Sequence, residues 1–206
     1  KYRPATGLLS HIDAAKGPDT YVDRNGNRKF DPVWMAGFGN DRPAKGVHDP
    51  LWARAIAFRN NGVTVAMVTL DAIGVFHEKV IDIRQRINPA LKVDHVIVSS
   101  LHNHETPDTM GNWSGLVPSP WSYDYANMER IKNACKEAVE EAVQKLEPVE
   151  MFGTTYELNP EGFVTDTRKP VVIDKKLNCV RFVKPGTDET IATLVNWSNH
   201  PETLGG

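Results

Sequence analysis

The chain has 206 residues, enough for one domain and a little more. Hydrophobic residues make up 40% and charged residues 24%, globular values that exclude a disordered tail or a low-complexity array. The formal net charge of −2 provides no field to attract a polyanion, which argues against a nucleic-acid partner.

The longest apolar run, Val63 to Leu70, is far short of the roughly 20 residues that cross a bilayer, so no transmembrane segment is expected. The first residue is Lys1 and no signal-like segment follows, so the chain is expected to be processed, trimmed or a fragment. Two cysteines, Cys135 and Cys179, are no disulfide framework; two free buried thiols are expected.

Residues 1–51 have little periodicity and many turn formers, and read as an irregular lead-in. Residues 52–206 read as an α/β core. Ala53 to Arg59 and Val63 to Leu70 are strand-like runs on either side of Asn60-Asn61-Gly62, a strong hairpin signal. Helical spacing of Val80, Ile83 and Ile87 predicts a helix over Phe76 to Ile87, stopped by Asn88-Pro89. The nearly continuous apolar run Val93 to Ser99 predicts a strand buried on both faces. Strand, helix and strand in that order predict a βαβ crossover.

A long aromatic loop, 105–122, leads into the clearest helix, Tyr123 to Leu146. There Met128, Ile131, Cys135, Ala138, Val139, Ala142 and Leu146 share one face. Leu177 to Val183 and Thr190 to Trp197 predict two further strands around a Lys184-Pro185-Gly186 turn. The expected fold class is α/β: a mixed sheet with flanking helices and long ordered loops, the N-terminal portion of a larger domain.

Ser99-Ser100-Leu101-His102-Asn103-His104 stands where the predicted buried strand ends. On an extended backbone residues i and i+2 point to one side, so His102 and His104 can face one point, and imidazole is a common zinc ligand. Asn196-Trp197-Ser198-Asn199-His200-Pro201 repeats the arrangement, a histidine just past an apolar strand, where sites gather in α/β sheets. Asp71, Glu105 and Glu202 are local oxygen candidates, and Asp108 adds another carboxylate nearby. Asp166-Thr167-Arg168-Lys169-Pro170 offers Arg168 to orient a substrate oxygen. Asp23, Asn25, Asn27, Lys29 (through its carbonyl) and Asp31 have the spacing of a calcium loop. Arg28 stands where such a loop has Gly, and Trp34 where it has Glu. His77 and His95 read as structural.

Several segments together resemble the neutral (non-lysosomal) ceramidase family. Met35-Ala36-Gly37-Phe38 is similar to its Met-Ala-Gly-Tyr element, and Gly46-Val47-His48 with Ala53-Arg54-Ala55 to its Gly-Ile-His and Ala-Arg-Ala stretch. Ser99 to His104 is similar to Ser-Ser-Thr-His-Thr-His, Asp166 to Pro170 to Asn-Arg-Ser-Pro, and Asn196 to Pro201 to Asn-Trp-Phe-x-x-His-Pro. After the second histidine the family continues Ser-Gly-Pro, whereas this chain has Glu105-Thr106-Pro107.

The resemblance implies a zinc-dependent amidohydrolase that cleaves an N-acyl amide, ceramide or a ceramide-like lipid, through a metal-activated water. His102 and His200 would be zinc ligands, His104 would contact substrate or oxyanion, and Arg168 would contact substrate; a family Glu absent from this stretch, or Glu105, would handle the proton. The remaining family ligands, a Glu and a Tyr, belong to a C-terminal portion absent from this sequence. A secreted, periplasmic or cell-surface location follows from the same likeness. Two alternatives stand beside this: a hydrolase of a more polar amide, ester or lactone, and a non-catalytic extracellular module stabilised by calcium.

Overall fold

The computed structural model describes residues 33–40, 42–113 and 123–200. The candidate calcium residues Asp23, Asn25, Asn27, Lys29 and Asp31, residues 114–122 of the aromatic loop, and Glu202 lie outside the described residues. The chain divides into two compact units, one holding the described residues up to Leu146 and one spanning Glu147–His200.

The first unit starts from a hairpin. Strand β1 (Ala53–Asn60) pairs antiparallel with β2 (Val63–Leu70), Ala53 opposite Leu70 and Asn60 opposite Val63. Asn61 (φ 49°) and Gly62 (φ 80°) both take left-handed backbone, the turn whose twist matches that of the strands. Along β2, Thr64, Ala66, Val68 and Leu70 are buried, the period of two that turns one face to the core.

Helix α1 (His77–Arg86) buries Val80 and Ile83, and the chain returns as β3 (His95–Ser100), parallel to β2. This is the expected βαβ crossover. The expectation that β3 is buried on both faces is corrected: Val96 is 7% exposed but Ile97 is 47% exposed. Among the described residues the strand order is β1-β2-β3, so β3 is an edge strand, and only Val96 along it is buried. Arg84 Nε donates to the Val96 carbonyl of this strand at 3.0 Å.

Helix α2 (Tyr125–Gln144) begins at Asp124, whose carboxylate accepts from the Asn127 amide at 2.8 Å, an N-cap. It packs against β1, β2 and α1. Ile131, Ala134, Cys135, Val139 and Val143 join Val68, Leu70 and Ile83 in one core. Burial pushes the Cys135 thiol up to about 12. Asp82 and Arg86 of α1 meet Glu129 and Lys132 of α2 in a four-membered ion-pair network.

The second unit is an antiparallel sheet of order β4-β5-β6, formed by β4 (Glu150–Glu157), β5 (Lys176–Val183) and β6 (Thr190–Trp197). The two predicted strands and their Gly186 turn are present. β4 is an additional strand, exposed along its whole length, so no hydrophobic alternation marks it, and Gly153 interrupts its run. Phe152, Tyr156 and Val195 fall on one face of this sheet and are 58%, 61% and 57% exposed. The two cysteines are free thiols, Cys135 buried and Cys179 half-buried.

The fold is thus mixed α/β, as expected. Among the described residues no helix is long and apolar enough to cross a membrane.

Candidate metal centre

The first unit builds its site at the end of β3. The Leu101 amide still donates to the Leu70 carbonyl (3.0 Å) and the His102 amide to the Ala72 carbonyl (3.1 Å), which keeps the segment tied to the end of β2. At His102 the backbone then turns to φ 62°. Left-handed backbone in a residue other than glycine costs about 1–2 kcal/mol and gathers at functional sites.

His102 and His104 do come together, but not by the alternation of an extended strand: the left-handed turn at His102 lies between β3 and His104. Their ring centroids are 4.8 Å apart, edge to face at 78°. The segment is fixed by Asn103, whose side chain accepts from the Glu105 amide (2.8 Å) and whose carbonyl accepts from the Thr106 hydroxyl (3.2 Å).

His102 Nδ1 lies 2.7 Å from the Ile73 carbonyl. A carbonyl can only accept, so Nδ1 carries the proton and Nε2 carries the lone pair of the neutral ring. Metal-binding imidazoles are oriented in this way by an outer hydrogen bond. The ligand atoms of His102 and His104 lie within 4.8 Å of one another. Two nitrogen donors this close, one held in the required tautomer, fit a zinc site.

Sequence reasoning missed what packs around His104. Gly37 (φ 107°) comes so close that a Cβ there would stand 2.3 Å from the His104 Cβ. The Phe38 ring meets the His104 ring edge-on at 5.1 Å. Arg42 Nη2 donates to the carbonyls of Ala36 and His104, both at 3.1 Å, and Nη1 to Glu105 at 3.3 Å. The Ala36 amide bonds to the Thr106 carbonyl (2.9 Å) and the Asp108 amide to the Trp34 carbonyl (2.7 Å), so part of the irregular lead-in is strapped along the histidine segment. The Met35–Phe38 motif was visible in the sequence without its role; nothing in the sequence singled out Arg42.

Two carboxylates considered as extra ligands have other work. Asp108 is buried and accepts from the amides of Met110 (2.8 Å), Gly111 (2.8 Å) and Trp113 (3.0 Å), so it holds the start of the following loop. Asp71 accepts from the Trp52 amide at 2.9 Å and from Arg54 at 3.1 Å. Glu105 is exposed and pairs with Arg42.

In the second unit, His200 follows the end of β6 and is exposed. Arg168 is exposed, its Nε 3.1 Å from Asp166. The amides of Arg168 and Val172, with the Arg168 side chain, hold the Asp166 carboxyl below its ordinary range.

Comparison with known proteins gives a likeness of fold. The crystal structure of neutral ceramidase from Pseudomonas aeruginosa superposes with a TM-score of 0.64 over 82% of this chain, at 18% identity. The chain spans 29% of the length of that ceramidase. No family model matches the sequence, and no curated protein matches it.

Proposed function

We propose that this chain carries part of the active site of a zinc-dependent hydrolase that cleaves an N-acyl amide, with ceramide or a ceramide-like lipid as substrate. The observation that carries the reading is the His102 ring, its Nδ1 held 2.7 Å from the Ile73 carbonyl, beside the His104 ring. The ceramidase-like fold and the ordered set of sequence motifs support it.

His102 and His200 are the proposed zinc ligands from this chain. Zinc, when bound, acidifies water toward neutral pH and polarises a carbonyl. His104, next to His102, donates a hydrogen bond to the oxygen on which negative charge builds as the amide carbon is attacked. Arg168 orients the substrate, and Glu105 accepts or returns a proton at its carboxylate. Further ligands are proposed to come from polypeptide beyond these residues, and calcium at Asp23, Asn25, Asn27, Lys29 and Asp31 remains part of the proposal. A secreted, periplasmic or cell-surface site of action is proposed on the same likeness.

Metal analysis of the full-length protein tests this. One zinc per chain is expected, lost in His102→Ala and in His200→Ala. His104→Ala is expected to keep zinc and lose about 100- to 1000-fold in rate, the usual cost of one oxyanion contact. Unchanged metal content and hydrolysis in His102→Ala would refute the reading.

A second reading has its own support. The Arg42–Glu105 ion pair puts charge directly beside His104, and the sequence pattern of the ceramidases has small residues there. This favours a more polar amide, ester or lactone. Turnover of N-acylsphingosine compared with soluble amides and esters separates the two.

A further inference from the structure

We propose that Arg42 is a positioning residue for His104: its guanidinium clamps the His104 backbone to the 34–38 segment and so sets where the imidazole points. This rests on the hydrolase reading above and adds to it a residue from outside the histidine motifs.

The clamp is built from a planar fork. One nitrogen, Nη2, donates to two carbonyls from segments far apart in sequence, Ala36 and His104, both at 3.1 Å, while Nη1 reaches the Glu105 carboxylate at 3.3 Å. Guanidinium suits this task because its donors are fixed in one plane and its charge persists at every working pH. The same group lies over the Phe38 ring, 5.4 Å from its centroid, and Phe38 in turn abuts the His104 ring.

His104 is therefore held from two directions, by its own carbonyl through Arg42 and by its ring through Phe38, with Gly37 permitting the close approach. Arg42 bonds the main chain of His104 and not its imidazole, so its effect on that ring runs through geometry; its ion pair with Glu105 is a separate contact, and the exchange of the clamped amides reads the geometry by itself. Misplacement of a reacting group by about 1 Å costs on the order of 100-fold in rate.

The test uses the full-length protein, with zinc content, steady-state kinetics and amide hydrogen exchange measured together. Arg42→Ala is expected to lower kcat by about 10- to 100-fold, with zinc retained. KM is expected to stay within about twofold, because ground-state binding is not what the clamp supplies. The amides of Ala36 and Asp108 should exchange faster, since both cross between the clamped segments; this arm reads whether or not a substrate is turned over. Arg42→Lys keeps the charge without the fork and is expected to recover less than half of the lost rate; it also serves if Arg42→Ala does not fold.

Wild-type kcat and wild-type exchange in Arg42→Ala, or full recovery by Arg42→Lys, would overturn the clamp and leave the hydrolase reading standing. Zinc binding and activity that survive His102→Ala would overturn the hydrolase reading instead, with the exchange arm still deciding the clamp.

Discussion

His102 and Gly37 both use left-handed backbone, for different reasons. His102 accepts it because its amide, its ring and its neighbours are all tied down, so the surrounding bonds offset the strain. Gly37 needs it, and also needs to lack a side chain, because His104 occupies the space a Cβ would fill. Gly37→Ala is expected to destabilise the first unit by about 2–4 kcal/mol, the sum of a left-handed penalty and overpacking, read from the denaturant midpoint. A wild-type midpoint would show that the segment shifts at little cost. At this scale the sequence revealed that the two histidines can face one point, since His-x-His at a strand end is a local pattern. It did not reveal how they meet: the turn at His102 depends on carbonyls of Ala72 and Ile73, contributed by the segment that follows β2. Arg42 was illegible for the same reason, as its partners lie 62 and 63 residues away.

The helices were legible because a 3.6-residue period survives in any one-sided packing: Met128, Ile131, Cys135 and Val139 mark α2 in the sequence alone. β4 was not, because a strand exposed on both sides carries no alternation. Between the helices, the network of Asp82, Arg86, Glu129 and Lys132 makes a pH prediction. Hydrogen bonds from Arg86 first, then Lys132, hold the Asp82 carboxyl down at about 2, against burial, which opposes them. Glu129 is held below its ordinary value chiefly by Lys132. A carboxyl lowered in the folded state adds stability above its unfolded value and loses it as pH falls through the folded one. That window runs from about pH 4, the unfolded aspartate value, down to about pH 2. Wild type should therefore lose stability across it more steeply than Asp82→Asn, measured by urea midpoints; parallel curves would show the network is not coupled to folding. Asp124→Ala removes the N-cap of α2 and should cost about 1 kcal/mol in the same assay.

For the molecule as a whole, the α/β class and the crossover order followed from the sequence of strand and helix patterns, but the division after Leu146 did not, because no linker-like composition marks it. The second unit leaves Phe152, Tyr156 and Val195 exposed together. Phe152→Lys should reduce binding of a hydrophobic dye to the purified chain while leaving the melting temperature within about 2 °C, since an exposed side chain contributes little to folding. A large drop in melting temperature would mean that Phe152 is buried in solution. The Arg84 bond to the Val96 carbonyl bears on a different property. An outer strand invites another molecule to extend the sheet, and a charged side chain seated on its backbone is a common deterrent. Arg84→Ala is expected to uncover that carbonyl and to favour larger species as the protein concentration rises, read by sedimentation velocity; an unchanged profile would show that the bond does not protect the strand edge.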